Sequence, residues 1–307
     1  MPQNKDSIRK EILPIFLMGL FFVLIYSLAL LIIKPFDSAG MQAFTDTSDP
    51  FNLVIFFSII IAMTAVILII AKYFWKQLIK FIILGAVGYT SFYVFLPLLS
   101  LFLSGWWPLV ASIAAAALLT ITLFKYPEWY IIDLCGVIIG AGAIAIFGIS
   151  LDISLVLILL VILAIYDAIS VYKTKHMIDL ADTVMDLKLP VLLVIPKIRH
   201  YSLIKETKSL KEKINDDDER EAFFMGLGDI VMPGILVAST YHNIPDGFLV
   251  TLGVILGTLL GFIILMSYVV KGKPQAGLPL LCGGAICGYL LSSFLVFGKI
   301  VGFGFSL

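Results

Sequence analysis

The sequence predicts an all-α integral membrane protein with nine transmembrane helices. Hydrophobic residues make up 61% of its 307 residues, well above the roughly 45–50% apolar content of soluble domains. The mean hydropathy of +1.07 agrees with a membrane protein. The apolar residues are also gathered into long runs, and a helix needs about 20 of them to cross a bilayer.

Nine runs approach or exceed that length. They cover residues 12–33, 51–71, 80–103, 107–124, 130–150, 152–172, 221–241, 247–270 and 276–298. The first run follows a basic N-terminus, as in a signal peptide, but its length of about 22 residues exceeds the roughly 7–15 apolar residues of such a peptide. We therefore predict that it is retained as a helix. Trp106, Trp107, Trp129 and Tyr130 lie at predicted helix ends, where amphipathic rings prefer the headgroup layer.

The basic residues predict the orientation in the membrane. If the N-terminus is cytoplasmic, all 21 lysines and arginines except Lys34 and Lys299 fall on the cytoplasmic side. Cytoplasmic loops carry such an excess of positive charge. We therefore predict a cytoplasmic N-terminus, a cytoplasmic loop after the sixth run and an external C-terminus.

That loop divides the chain into three parts. They are a six-helix membrane part at 1–172, the loop at 173–220 and a three-helix membrane part at 221–307. Within the loop, apolar residues recur at helical spacing over 177–187, which predicts an amphipathic helix on the membrane surface. The run Val191–Ile195 between two prolines is consistent with a β-strand or a packed loop, and 197–220 is polar enough for a solvated linker.

Two aspartates lie inside the sixth and seventh runs. An ionised carboxylate in mid-membrane costs roughly 2.5–3.5 kcal/mol, so such residues usually have a function. Asp167 lies near the end of its run and Asp229 near the start of the next, which places them roughly 8 and 12 Å from the cytoplasmic boundary at 1.5 Å per residue. The two carboxylates therefore occupy the same layer. Asp133 and Asp152 lie at run edges, where we expect contact with headgroups or water and assign no function.

Paired carboxylates in one membrane layer suggest a reaction. Two such groups cannot both ionise easily, so they share one proton and titrate as a unit. The ionised member can then take a proton from water while the protonated member polarises a carbonyl, as in aspartic peptidases. A proton or cation relay in a transporter or channel would also use paired membrane acids.

The residues around the aspartates carry a family resemblance. Asp229 closes the tetrapeptide Gly226, Leu227, Gly228, Asp229, and Asp167 directly follows Tyr166. With these two signatures on consecutive helices of a nine-span layout, the chain resembles the presenilin and signal peptide peptidase family of intramembrane aspartyl proteases over nearly its whole length. The resemblance implies that Asp167 and Asp229 are catalytic, that no metal or organic cofactor is used, and that Tyr166, Gly226, Leu227 and Gly228 contact the substrate.

A third family signature, Pro-Ala-Leu followed by proline, is altered here. The matching residues are Ala276, Gly277, Leu278 and Pro279, of which only the last two agree with the family. The resemblance implies that this segment is a substrate-binding edge, where an unwound part of the cleaved helix pairs as a strand. The predicted orientation is that of presenilin rather than the inverted signal peptide peptidase, and it implies substrates whose N-termini face outward.

The predicted partners are single-span membrane-protein substrates within the lipid bilayer. No basic tract with interleaved aromatics indicates nucleic acid, and neither a His-Glu-x-x-His zinc motif nor a Gly-x-Ser-Gly motif is present. A prepilin-type aspartyl peptidase and a proton- or cation-coupled transporter or channel remain alternatives. A transporter would be expected to have two similar halves, and we see no such repeat. The sequence leaves open a homo-oligomer and accessory subunits.

Overall fold

The computed structural model describes residues 5–73, 76–171, 192–197, 222–270 and 275–302. These residues form nine helices and a two-stranded antiparallel sheet. The elements in chain order are α1 (Lys5–Ser38), α2 (Phe51–Tyr73), α3 (Lys76–Ser100), α4 (Trp107–Lys125), α5 (Trp129–Ser150), α6 (Ile153–Ile169), β1 (Leu192–Pro196), β2 (Ala222–Gly226), α7 (Leu227–Asn243), α8 (Phe248–Val269) and α9 (Gly277–Phe297).

Six of the described helices are long and apolar enough to cross a membrane. They are α1, α3, α4, α5, α8 and α9. The stretch Phe51–Met63 of α2 and the whole of α6 are shorter apolar helical segments. The predicted integral, multi-pass helical class is therefore confirmed, while the count of nine spans stays a prediction.

Helix α5 lies at the centre of the bundle. It is the most buried of the six, with 72% of its most apolar stretch inside the protein, and it packs against α1, α3, α7 and β1. Glycines on different faces of α5 allow its neighbours to pack this closely. A Cβ atom on Gly142 would lie 2.5 Å from a methyl of Val94 on α3, and one on Gly148 would overlap Ala238 on α7.

Helices α8 and α9 are in backbone contact. A Cβ atom on Gly257 would overlap the carbonyl oxygen of Gly284, and one on Gly288 would overlap that of Gly253. Lipid removes the hydrophobic drive for helices to associate, so close packing of small residues has to provide it. The contact fixes α9 against its neighbour.

A two-stranded sheet departs locally from the otherwise helical fold. Residues 222–226, predicted to begin the seventh helix, form β2 instead, and α7 begins only at Leu227. The segment pairs with β1 in a register that sets Val194 opposite Phe224, and this pairing satisfies backbone groups that a helix would otherwise satisfy. Of the two alternatives left open for Val191–Ile195, a strand or a packed loop, the structure has a strand, β1, at Leu192–Pro196. The predicted surface helix at 177–187 and nearly all of the predicted linker lie outside the described residues.

The α8–α9 contact generates a stability prediction. Gly257→Ala should lower the free energy of unfolding by about 1–3 kcal/mol, because the added methyl overpacks a backbone contact. Thermal unfolding in detergent micelles measures the change. The matched control is Gly283→Ala on α9, where a Cβ meets nothing within 4 Å and alanine is favoured in a helix. Equal melting temperatures for the two variants would contradict this packing.

Candidate active site

Asp167 binds the first turn of α9. Its side chain is buried, at 3% exposure, and its Oδ2 accepts a hydrogen bond of 3.1 Å from the Leu278 amide. The Gly277 amide also donates to this carboxyl group. The first amides of any helix lack partners within that helix. Asp167 on α6 therefore caps α9 from outside.

Asp229 lies in the first turn of α7. Gly226 precedes the helix as its N-cap residue with an extended backbone, φ −62° and ψ 131°, so the chain passes from β2 into the helix without a loop. A negative charge in a first helical turn is stabilised by the helix dipole. The Asp229 side chain is partly exposed, unlike that of Asp167. One carboxylate is therefore carried by the start of a helix, and the other is bound to the start of a different helix.

Both carboxylates lie next to Gly277. A Cβ atom on this glycine would lie 3.0 Å from Oδ2 of Asp229, while the amide of the same residue donates to Asp167. The two acids interact electrostatically. Carboxylates in this arrangement repel each other when both are charged, so a single shared proton is favoured. The structure thus brings the two predicted residues together.

The other residues of the predicted site differ in position. Leu227 is buried against α5, where a Cβ on Gly140 would lie 3.2 Å from it. Gly228 is exposed and borders a cavity of about 300 Å³ between α3, α5 and α7. Tyr166 is 68% exposed and has no hydrogen bond to either carboxylate among the described residues. Of these three, Leu227 and Gly228 line that cavity and Tyr166 does not.

The altered third signature lies directly at the carboxylates. Ala276 is almost fully buried and serves as the N-cap residue of α9, with Gly277 and Leu278 following as the amide donors. Pro279 is the third residue of that helix, in the first turn, where its missing amide hydrogen costs nothing. Within the described ranges, no third histidine, cysteine or acidic side chain joins Asp167 and Asp229 in a metal-ligand group.

Two supporting residues were not predicted from sequence. The buried hydroxyl of Tyr26 on α1 donates a hydrogen bond of 3.0 Å to the Ile230 carbonyl, one residue after Asp229. Asp133 on α5 is 2% exposed, which corrects the expectation that it reaches water or headgroups, and it binds the Val194 amide of β1. Both contacts join residues that are far apart in the chain, so no local sequence motif predicts them.

The chain has clear relatives. The family model described as "Signal-peptide peptidase, presenilin aspartyl protease" matches residues 18–299. Two solved structures of a presenilin family intramembrane aspartate protease are similar over almost the whole chain. The C222 crystal form has 33% identity, covers 92% of this chain and 99% of that one, and gives a TM-score of 0.67. The P2 form has 36% identity, 91% and 97% coverage and a TM-score of 0.68. No curated protein matches the chain.

The cap on α9 generates a prediction about local stability. Asp167→Ala should speed hydrogen–deuterium exchange at residues 277 and 278, because their amides lose an acceptor inside the protein. Asp167→Asn keeps an acceptor oxygen and should retain most of the protection. Asp229→Ala is the control, since neither amide donates to that residue. Unchanged exchange in Asp167→Ala would contradict the capping role.

Proposed function

The chain belongs to the family of signal-peptide peptidases and presenilin aspartyl proteases and is an intramembrane aspartyl protease, and we propose that Asp167 and Asp229 are its catalytic pair. The observation that carries this assignment is Gly277, whose amide donates to Asp167 and whose missing side chain leaves room for the Asp229 carboxylate, which would lie 3.0 Å from a Cβ at this position. In this arrangement one water molecule contacts both acids. The reaction then needs no group beyond the two side chains.

The proposed reaction is hydrolysis of a peptide bond by an activated water. The ionised aspartate takes a proton from the water, and the protonated one donates a hydrogen bond to the scissile carbonyl. As the water attacks, the protonated aspartate transfers its proton to the carbonyl oxygen, which gives a tetrahedral diol. The other aspartate then passes the proton taken from water to the nitrogen, and the C–N bond breaks as a diol hydroxyl returns its proton to the first aspartate. The protons taken up and released balance over one cycle, so the pair again holds a single shared proton.

We assign the enzyme to the group with the Gly-x-Gly-Asp motif. Its two glycines leave room for a second backbone beside Asp229. A Cβ on Gly226 would lie 3.5 Å from Oδ2 of Asp229, and one on Gly228 would meet nothing within 4 Å. A helical peptide bond is shielded by its own hydrogen bonds, so the substrate has to unwind near the acids. Its freed amides then need partners inside the protein, and the β1–β2 sheet that leads into α7 offers them.

We further propose that all nine described helices cross the membrane. The nine helices coincide closely with the nine apolar runs, and the distribution of basic residues favours a cytoplasmic N-terminus and an external C-terminus. The parts 1–172 and 221–307 then form the membrane bundle around a cytoplasmic segment at 173–220. In this orientation the catalytic layer lies near the cytoplasm, and the proposed substrates are single-span proteins with external N-termini.

The catalytic assignment is tested by isosteric replacement. Asp167→Asn and Asp229→Asn should each abolish cleavage of a single-span substrate reconstituted in vesicles, because neither amide can act as the general base. Mass spectrometry of the products measures the reaction. The same substrate inserted with its N-terminus on the cytoplasmic side should be cleaved poorly. The control is Asp152→Asn, a helix-capping position of α6 where asparagine caps equally well. Retained proteolysis in either catalytic variant would refute the assignment.

The spacing at Gly277 generates a second test. Gly277→Ala should retain cleavage within about tenfold, because the carboxylate can yield a few tenths of an ångström, whereas Gly277→Val should lose about a hundredfold or more, since displacements near 1 Å have effects of that size. Initial rates on the same substrate measure both. Gly283→Val on the same helix, where a Cβ meets nothing within 4 Å, controls for the general effect of valine. Equal rates for Gly277→Val and wild type would show that this gap does not set the geometry.

A further inference from the structure

Asp133 is a buried acid outside the catalytic pair. It lies near the start of α5, and its Oδ1 accepts a hydrogen bond of 2.8 Å from the Val194 amide. Its Oδ2 has no hydrogen-bond partner among the described residues. Burial of a carboxylate in the membrane region is costly. Among the described residues, the one hydrogen bond of Asp133 goes to β1. The function of this buried acid should therefore concern that strand.

The hydrogen bond identifies which edge of β1 is covered. Val194 lies opposite Phe224 in the antiparallel register. In such a ladder the amide and carbonyl of one residue point to the same side, and successive residues alternate sides. Because the Val194 amide reaches α5, the backbone groups of Val194 point away from β2, and those of Phe224 point away from β1. Asp133 therefore covers the outer edge of β1, whereas the outer edge of β2 has no partner among the described residues.

The side chains reinforce this contact between α5 and β1. A Cβ on Gly136, one turn after Asp133, would lie 2.9 Å from the Leu193 side chain. Leu193 itself is fully buried, and Val194 is 2% exposed. Neighbouring positions on one face of α5 therefore hold both the backbone and a side chain of β1. These two contacts restrain both the position of β1 along α5 and its orientation relative to that helix.

The two edges are not equivalent for catalysis. A strand added to β2 lies one strand spacing from the segment that leads into Asp229, about 4.8 Å, whereas a strand added to β1 lies two spacings away, nearly 10 Å. An uncovered edge is a template for strand addition. A substrate held on the wrong edge would leave its peptide bonds out of reach of the carboxylates.

We infer that Asp133 is a positioning residue that covers the outer edge of β1 and thereby directs the unwound substrate onto β2. The inference rests on the proposed function and deepens it. Asp133 acts through its acceptor oxygen, not through catalysis. Asp133→Asn, which keeps such an oxygen, should hold kcat/KM within about threefold of wild type with an unchanged pH profile and the same cleavage positions.

Removal of the acceptor has a different expected result. Asp133→Leu should lower kcat/KM about tenfold or more, in line with an unpaired buried amide, and its fragments should end at additional positions. Ser239→Ala is the matched control, because it removes a different buried bond between a side chain and the backbone, the one that the Ser239 hydroxyl donates to the Leu151 carbonyl, without touching β1. It should leave the cleavage positions unchanged.

A proline rescue separates edge covering from general stability. The double variant Asp133→Leu with Val194→Pro has no amide left at position 194 to bind an added strand, and proline is tolerated on an outward-facing edge. It should restore the wild-type fragment pattern that Asp133→Leu alone loses. A photoreactive amino acid at position 224 should crosslink to the substrate in wild type, and one at position 192 only in Asp133→Leu.

Several results would overturn the inference. Asp133→Asn as inactive as Asp229→Asn would show that the acid itself is needed, and wild-type fragments from Asp133→Leu would show that the edge needs no cover. If Asp133→Leu does not fold, the crosslinking of the wild-type enzyme provides the test. A crosslink to the substrate from position 192 instead of position 224 would also overturn the inference. Absence of cleavage by the wild-type enzyme would instead refute the proposed function.

Discussion

The site depends on one requirement of a helix that starts inside a membrane protein, namely that its first amides find acceptors. In α9 the Gly277 and Leu278 amides find the carboxylate of Asp167. In hydrocarbon an unsatisfied amide costs several kcal/mol, so this cap joins α6 to α9 more firmly than an exposed hydrogen bond would. The same interaction that closes the bundle therefore also holds one of the two acids.

Rigid packing around the acids follows from small residues. Gly257 and Gly284 bring the backbones of α8 and α9 into contact, and Gly148 lets α7 approach α5 equally closely. The helices that carry or bind the acids are thus supported by backbone contacts rather than by long side chains with many rotamers. Sites on such rigid elements hold their geometry more closely than sites on loops.

Much of this arrangement could be predicted from the sequence. Hydropathy predicted the membrane class, and the distances of Asp167 and Asp229 from the ends of their runs predicted that both lie in one layer. Strand β2 was missed because Ala222–Gly226 continues an apolar run, and hydropathy does not separate a buried strand from a helix. Tyr26 and Asp133 were missed because their functions depend on residues of other helices and strands, which one sequence does not reveal.

Strand β2 and helix α7 share a boundary at Gly226 with no loop between them. The pairing of β2 with β1 therefore sets where Asp229 lies, whereas the bond to the Leu278 amide sets where Asp167 lies. The alignment of the two acids thus depends on two separate attachments, one to a strand and one to a helix.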